Sequence, residues 1–506
     1  MLGAEWQKDK VERFQAKGSD FANDNAKFNN LGEATNYSAS SGFAAWQMES
    51  YMTRINYSLK NRYSFTFTGR LDGSSRFGKD HKYAFFPSAA LAWRLSEEPF
   101  MKNTVWLSNL KARLSYGSSG EQGIPLYQTL STLAPSSVFV GKDLNTGYFP
   151  TRAADPSLKW EKTNQINAGL DIGFLGNRIS LTLDYYYKRT NDLLYYKALP
   201  GSSGFTSMLQ NIGIIDNKGL EITLDARLIE SKDFKWDINI NNSINRNKVI
   251  ELGDGRDEII NPAGGLTSTD IKSQPSILKV GKPLGLLYGY QSDGVIYDEA
   301  ESAIAKKMGQ IQYAPGELKI RDVNEDGRIT EADKTIIGDA NPDFIGGMTN
   351  TFTYKGFQLN ILCQWVVGND IMNIQHLVNQ RLVLGFNATQ DWYNNHWKES
   401  APSRTEPRAG YDVRAYPDVS YHVFKGSFFR INNLSLAYSL PRNIIEKAKL
   451  SNLKFSVSVD NLYTFTNYPG WSPDVSSMGE NVMGQGIDAA SYPIPRTVTF
   501  GINVGF

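Results

Sequence analysis

The chain ends Thr497-Val-Thr-Phe-Gly-Ile-Asn-Val-Gly-Phe506, and the alternation in this stretch decides how the rest is read. Val498, Phe500, Ile502, Val504 and Phe506 fall on one side of an extended chain. Thr497, Thr499, Gly501, Asn503 and Gly505 fall on the other, because successive strand side chains point to opposite faces. The same period of two runs through Ile179, Leu181, Leu183, Tyr185 and Tyr187, through Leu220, Ile222, Leu224, Ala226 and Leu228, and through Leu453, Phe455, Val457 and Val459. These runs are about ten residues long, the length with which a tilted strand crosses a bilayer. A soluble antiparallel sandwich with one wet face also alternates, but its strands average only about five or six residues.

Working outward, the connections alternate between short and long. Lys60-Asn61-Arg62, Leu175-Gly176-Asn177, Ser231-Lys232-Asp233, Lys355-Gly356 and the longer Pro441–Ser451 join neighbouring runs. Between them lie long connections at 118–162, 190–218, 247–346, 366–426 and 464–495. Outer-membrane barrels carry tight turns on one rim and long loops on the other. Parity makes 247–346 one connection on the long-loop rim, so Leu284–Tyr290 is read as a strand local to it. The count is about thirteen spans, with a partial strand at Leu2–Gln7 that suggests a chain cut open inside a barrel. The expected fold is all-β: an antiparallel transmembrane β-barrel wall of about thirteen or fourteen strands.

Composition removes other classes. The 53 Lys+Arg against 52 Asp+Glu leave a net charge of +1, so no basic footprint for nucleic acid exists. Mean hydropathy is -0.39, and no run of about eighteen apolar residues is present, so no transmembrane helix is expected. A single cysteine, Cys363, excludes an intramolecular disulfide and a cysteine-based zinc site. His81, His376, His396 and His422 are scattered, and none of the nucleotide-binding, zinc-protease or serine-hydrolase motifs occurs. The chain reads as no enzyme. Its first residues lack the basic start and apolar core of a signal peptide, which fits a mature or truncated piece, or a cytoplasmic protein.

The most specific local motif is Asp322-Val-Asn324-Glu-Asp326-Gly327-Arg328-Ile329-Thr330-Glu-Ala-Asp333. Asp322, Asn324 and Asp326 supply side-chain oxygens at the first, third and fifth positions of a calcium loop, and Gly327 permits the sharp turn at the sixth. Arg328 would offer its carbonyl, Thr330 a direct or water-mediated contact, and Asp333 stands where such loops carry a longer Glu. The expectation is a structural Ca²⁺ site on the extracellular rim; an Asx-rich turn that binds nothing is the plainer alternative. Trp392, Tyr393 and Trp397 would stack on sugar rings or, more simply, anchor a loop. Glu221, Asp225 and Arg227 would line a solute path or an ion-paired wall.

Taken in order, several stretches resemble the C-terminal half of the SusC/RagA family of TonB-dependent outer-membrane transporters. They are Leu114-Ser-Tyr-Gly-Ser-Ser-Gly-Glu-Gln, Leu158-Lys-Trp160-Glu161, Gly169-Leu-Asp171, Asn211-Ile-Gly213 with Asn217-Lys-Gly219-Leu-Glu221, and Tyr288-Gly-Tyr290 with Asp293-Gly294. The Asp322–Asp333 loop, Pro342-Asp-Phe344, Arg430-Ile-Asn-Asn-Leu434, Asn461-Leu with Phe465-Thr-Asn-Tyr468-Pro-Gly470, and the terminal Phe506 continue the series. Gly120-Glu121-Gln122 departs from the family's more usual Gly-Asn-Gln. The resemblance implies a wall of about twenty-two strands in the full protein, together with an N-terminal plug and a TonB box. It also implies energised import of oligosaccharide or peptide fragments with a SusD-like surface lipoprotein, and Phe506 as part of a barrel-assembly signal. A passive porin or surface adhesin, and a soluble calcium-stabilised glycan-binding β-protein, are the competing readings.

Overall fold

A computed structural model describes residues 1–506 except 24, 26, 28, 262–265, 268–271, 274, 380–386, 411, 413, 476 and 480. Parts of the expected connections 247–346, 366–426 and 464–495 therefore lie outside the described residues. Fourteen strands form one sheet in chain order, each hydrogen-bonded to the next. They are β1 (Leu2–Phe21), β2 (Ala34–Leu59), β3 (Tyr63–Ser74), β4 (Tyr83–Arg94), β5 (Leu107–Glu121), β6 (Glu161–Phe174) and β7 (Ile179–Asn191). Then come β8 (Ile214–Glu230), β9 (Phe234–Glu251), β10 (Phe344–Tyr354), β11 (Phe357–Val367), β12 (Phe428–Ser439), β13 (Asn452–Thr466) and β14 (Thr497–Gly505). Among the described residues no helix is long and apolar enough to cross a membrane.

The expected turns are where the sequence placed them. Lys60 and Asn61 both have positive φ, as do Leu175, Gly176 and Asn177, and Lys355 and Gly356. Two consecutive positive φ values give the backbone twist that closes a tight hairpin without splaying its strands. One expectation needs correction. The partial strand at Leu2–Gln7 is a 20-residue strand, and its partner β2 has 26 residues. Lys8 to Phe21 pair with Gln47 to Ala34 alone, since β3 joins β2 only from Met48 onward. Both faces of this ribbon are polar, with Lys8, Lys10, Glu12 and Arg13 close together. Alternation therefore gives no signal there.

The chain divides into two compact units. In the unit holding β9 to β14, register assembles the apolar positions into rows. Phe234, Tyr354, Phe357, Tyr438, Phe455 and Ile502 lie opposite one another in sequence across the strands. The next row is Trp236, Phe352, Leu359, Leu436, Val457 and Phe500; the third is Ile238, Asn350, Ile361, Leu434, Val459 and Val498. Asn350 is the one polar member of these rows, and the Trp236 indole N–H donates to its Oδ1 at 3.1 Å. That bond removes the cost of an unpaired amide oxygen on an apolar face. On the other face stand Asn239, Asn241, Ser243, Thr349, Thr351, Asn360, Ser435 and Ser458.

A bulge keeps this segregation intact. Along β12 the apolar residues are Phe429 and Ile431, then Leu434, Leu436 and Tyr438, so their parity switches midway. The register with β11 steps at the same place, where Asn432 is the extra residue on β12; against β13 the extra residue lies on β13, where Asn461 and Leu462 stand against Asn432 alone. A one-residue slip exchanges the faces of a strand, and a bulge absorbs it. At the far end of the rows, Trp365 lies across Gly346. A Cβ on Gly346 would meet the Trp365 ring at 2.7 Å, and the indole N–H reaches Asn242 Oδ1 at 3.1 Å. Aromatic cover of a strand glycine fills the gap in the row.

The unit that contains β1 to β4 repeats the pattern. Leu59, Tyr63 and Trp93 form one row, and Tyr57, Phe65 and Leu91 the next. Its buried cluster lies off the sheet's apolar face, where Phe77, Ile124, Leu158 and Trp160 pack with Phe86 and Leu209.

Candidate functional site

Burial in this protein is inverted relative to a water-soluble sheet. Phe500 is 81% exposed and Ile502 69%, as are many of the row residues to lesser degrees. By contrast, Ile277, Leu287, Ile296, Leu318, Met372, Leu377 and Ile487, large side chains with no exposure to speak of, sit in the long connections. Contiguous exposed apolar surface on this scale marks contact with another apolar phase. With β10 at 11 residues, the apolar band runs about 36 Å along the strand and about 27 Å in depth at a usual tilt of about 40°. Aromatic residues bound it at both ends: Tyr354, Phe357 and Tyr438 at the short turns, Trp365, Phe429 and Phe465 at the long connections. This is the outward face of a bilayer-spanning strand wall.

The long connections of the β9–β14 unit fold into a second body. Between β9 and β10, the strands Glu258–Ile260, Ser276–Lys279, Leu286–Tyr290 and Lys334–Asp339 form a four-stranded sheet. A local strand was expected over Leu284–Tyr290; the strand runs over Leu286–Tyr290. The helix α1 (Glu299–Lys307) follows, capped by Asp298 Oδ1 on the Glu301 N–H at 3.0 Å. The two ends of the β11–β12 connection and the β13–β14 connection meet where Asp370–Asn373 pairs antiparallel with Val423–Lys425 and parallel with Ile487–Asp488. Leu287, Met372, Ile374 and Ile487 pack together beneath this junction. Arg430 of β12 ties the last connection down, donating to Asp474 Oδ2 at 3.1 Å and Thr464 Oγ1 at 2.9 Å.

The Asp322–Asp333 loop belongs to this body. Asp322 Oδ2 accepts from the Gly327 N–H at 2.7 Å, and Asp326 Oδ1 from the Arg328 N–H at 2.8 Å. Asn324 Oδ1 accepts from the Asp326 N–H at 3.1 Å, and its Nδ2 donates to Asp326 Oδ2 at 3.1 Å. Gly327 has the positive φ that the sixth position demands. Ile329 is buried with Tyr290, Val295 and Leu318, as its apolar position between two polar residues foretells. Asp333 is fully buried. Its Oδ1 accepts from the Val323 N–H at 2.9 Å and its Oδ2 from the Thr330 N–H at 2.7 Å. Burial pushes this carboxyl up, and the N–H groups of Thr330, Val323 and Asn324 outweigh it, holding the group below its ordinary value. Among the described residues, no three His, Cys, Asp or Glu side chains are gathered as a metal-binding group. The donor set remains all oxygen, the chemistry a hard cation prefers.

The remaining sequence candidates separate. Trp392 is buried and stacks on His396 with ring centres 4.5 Å apart, and Trp397 donates its indole N–H to the Tyr297 carbonyl at 3.3 Å. Both are anchors; only Tyr393 faces outward. Asp225 Oδ1 accepts from Asn239 Nδ2 at 2.6 Å on the polar face, while Arg227 and Glu230 lie 3.9 Å apart at the turn end.

A buried pair escaped sequence reading. His376 on α2 (Ile374–Asn379) and His422 place their Nδ1 atoms 2.9 Å apart, across 46 residues of chain. Tyr421 beside them donates to Glu406 Oε2 at 2.5 Å. Burial holds His376 down at about 4, against a smaller upward pull from Asp391, and holds His422 well below its ordinary value. Burial likewise raises Glu406. The pair fastens the start of the β11–β12 connection to its end.

The family model for TonB dependent receptor-like β-barrels matches residues 2–313. TonB-dependent receptor P3 of Formosa agariphila is 37% identical over 514 residues, spanning all of this chain and 50% of that protein. TonB-dependent receptor SusC of Bacteroides thetaiotaomicron is 33% identical over 469 residues, covering 90% of this chain and 43% of that one. The solved structure of the RagAB peptide transporter superposes on the whole chain with a TM-score of 0.83 at 24% identity, over 53% of its own length. The chain thus spans about half the length of the curated relatives it matches. It belongs to the TonB-dependent receptor β-barrel family of the outer membrane, as a SusC/RagA-like barrel wall.

Proposed function

We propose that this chain forms the wall of an energised importer of oligosaccharide or peptide fragments. The observation that supports it best is the pairing of a lipid-suited face with an amide- and hydroxyl-rich face that ends in a folded loop body. Asn239, Asn241, Ser243 and Asn360 offer both donors and acceptors without net charge, which suits neutral solutes with many hydroxyl or amide groups. The relatives are about twice as long, and in this reading the other half supplies further wall strands, a plug and the TonB-contacting segment. A SusD-like surface lipoprotein would close over the loop body. The test is uptake of labelled oligosaccharides and peptides by cells with and without the gene for the whole protein. Uptake lost with the gene and abolished by a protonophore supports the proposal. Gene-dependent uptake that ignores the protonophore would instead make the protein a passive porin.

Calcium at Asp322–Asp333 belongs to the same proposal. Asp322, Asn324, Asp326, Thr330 and Asp333 with the Arg328 carbonyl would hold the ion through lone pairs not engaged by backbone N–H groups. Its role would be to neutralise the carboxylates and stiffen the loop body. Calorimetry on the whole protein should show Ca²⁺ binding that Asp322→Ala with Asp326→Ala removes. No heat at millimolar Ca²⁺ would leave an Asx-rich turn.

A further inference from the structure

The strongest unassigned feature is a cleft of about 420 Å³ at the long-connection end of β1 to β4. It lies on the apolar face. Above the row of Ala4, Tyr51, Leu71 and Phe85 comes a row of Trp6, Glu49, Gly73 and Tyr83. Trp6 packs edge-on against Tyr51, with ring centres 6.1 Å apart. The Tyr83 ring lies across Gly73, where a Cβ would meet it at 2.4 Å, and its hydroxyl donates to the Glu49 carboxylate two strands away. So the floor of the cleft is aromatic, and its one carboxylate is engaged by a phenol. One step further from the apolar band, Lys8 and Lys82 line the rim with Gln47 and Ser75. Both lysines are exposed, and neither forms an ion pair with a described residue.

Aromatic side chains in a belt mark the headgroup level of a bilayer, and unpaired lysines there attract anionic headgroups. We infer that this cleft is a binding site for one phosphate-bearing lipid of the surrounding leaflet. The phosphate would sit between Lys8 and Lys82. The Trp6 and Tyr83 rings would face the glycerol or sugar region, and an acyl chain would run down the Tyr51 and Leu71 row. Two features select a lipid over a soluble anion: the cleft adjoins the bilayer-facing band at its aromatic edge, and the Trp6 and Tyr83 rings line its floor. The inference needs only the outer-membrane location and is independent of the solute imported.

The experiment is native mass spectrometry of the whole detergent-extracted protein, titrated with phosphatidylglycerol or phosphatidylcholine of matched acyl chains. One phosphatidylglycerol should be retained in preference to phosphatidylcholine. Lys8→Gln with Lys82→Gln should lower that preference by about 25-fold, at about five-fold per lysine, while Lys8→Arg with Lys82→Arg keeps it. Lys142→Gln, at a hairpin turn outside the cleft's lining, should change nothing. Heat-modifiable migration on gels identifies folded variants. Equal retention of both lipids by the wild type, or an unchanged preference in the glutamine variant, would overturn the site. Displacement of phosphatidylglycerol by equimolar inorganic phosphate would also overturn it, by making the site a soluble-anion site. Should the double glutamine variant fail to fold, each single variant must lose about five-fold, and no loss in either refutes the inference.

Discussion

Replacing Val498 with arginine separates a lipid-facing wall from a solvent-facing sheet. Val498 is 53% exposed and lies in the third apolar row, near mid-band, beside Val459. In water, such an exposed position tolerates Arg at a cost within about 0.5 kcal/mol. At the bilayer midplane, Arg costs about 2–4 kcal/mol, which lowers the folded-to-unfolded ratio about 30- to 700-fold. Thr499 is its neighbour on the polar face, opposite Ser458, so Thr499→Arg should cost little. The assay is reversible urea unfolding of the whole protein in liposomes, followed by tryptophan fluorescence. Val498→Arg as stable as wild type, with Thr499→Arg strongly destabilised, would refute the face assignment.

Deleting Asn432 should remove the β12 bulge and invert either Phe429 and Ile431 or Leu434 and Leu436; outer-membrane level should fall to near background by surface blotting. Deleting Phe506 should lower that level while leaving transcript unchanged, because its ring, 95% exposed, ends the apolar side of β14. The His376–His422 pair should make the loop body acid-sensitive. Both groups are depressed in the fold, His376 to about 4, so the fold binds fewer protons than the unfolded segment below the ordinary histidine value of about 6.5. Stability is full above that value and declines toward pH 4. Protection factors from hydrogen exchange, corrected for the intrinsic pH dependence of the amides, should therefore be lower at pH 5 than at pH 7.5 for residues 370–379 and 420–425, and His376→Phe with His422→Phe should flatten the difference. A pH-independent wild type would contradict it.

The sheet was legible because its signal is local: ten-residue alternation at Thr497–Phe506 and its equivalents, broken by turn residues such as Lys355-Gly356. Where that signal fails, a physical reason is visible. Residues 8–21 and 34–47 pair with each other but carry polar groups on both faces, so no period of two marks them. Asn432 interrupts the period by a single residue, and only the register with β11 reveals a bulge. The loop body depends on contacts between connections far apart in sequence, such as Met372 with Ile487 and His376 with His422. The Asp322–Asp333 motif was legible as an oxygen-rich turn. The role of Asp333 in holding the Val323 and Thr330 N–H groups required the folded loop.

One face of this wall meets lipid and the other faces water. Single cysteines at Ser456, Val457, Ser458 and Val459 of β13, in a Cys363→Ser background, test this division. Reaction of the membrane-embedded protein with a charged, water-soluble maleimide should be fast at 456 and 458 and slow at 457 and 459. A lipid-soluble quencher should act on fluorophores at 457 and 459 only. Equal labelling at all four positions, or the reverse alternation, would contradict the account.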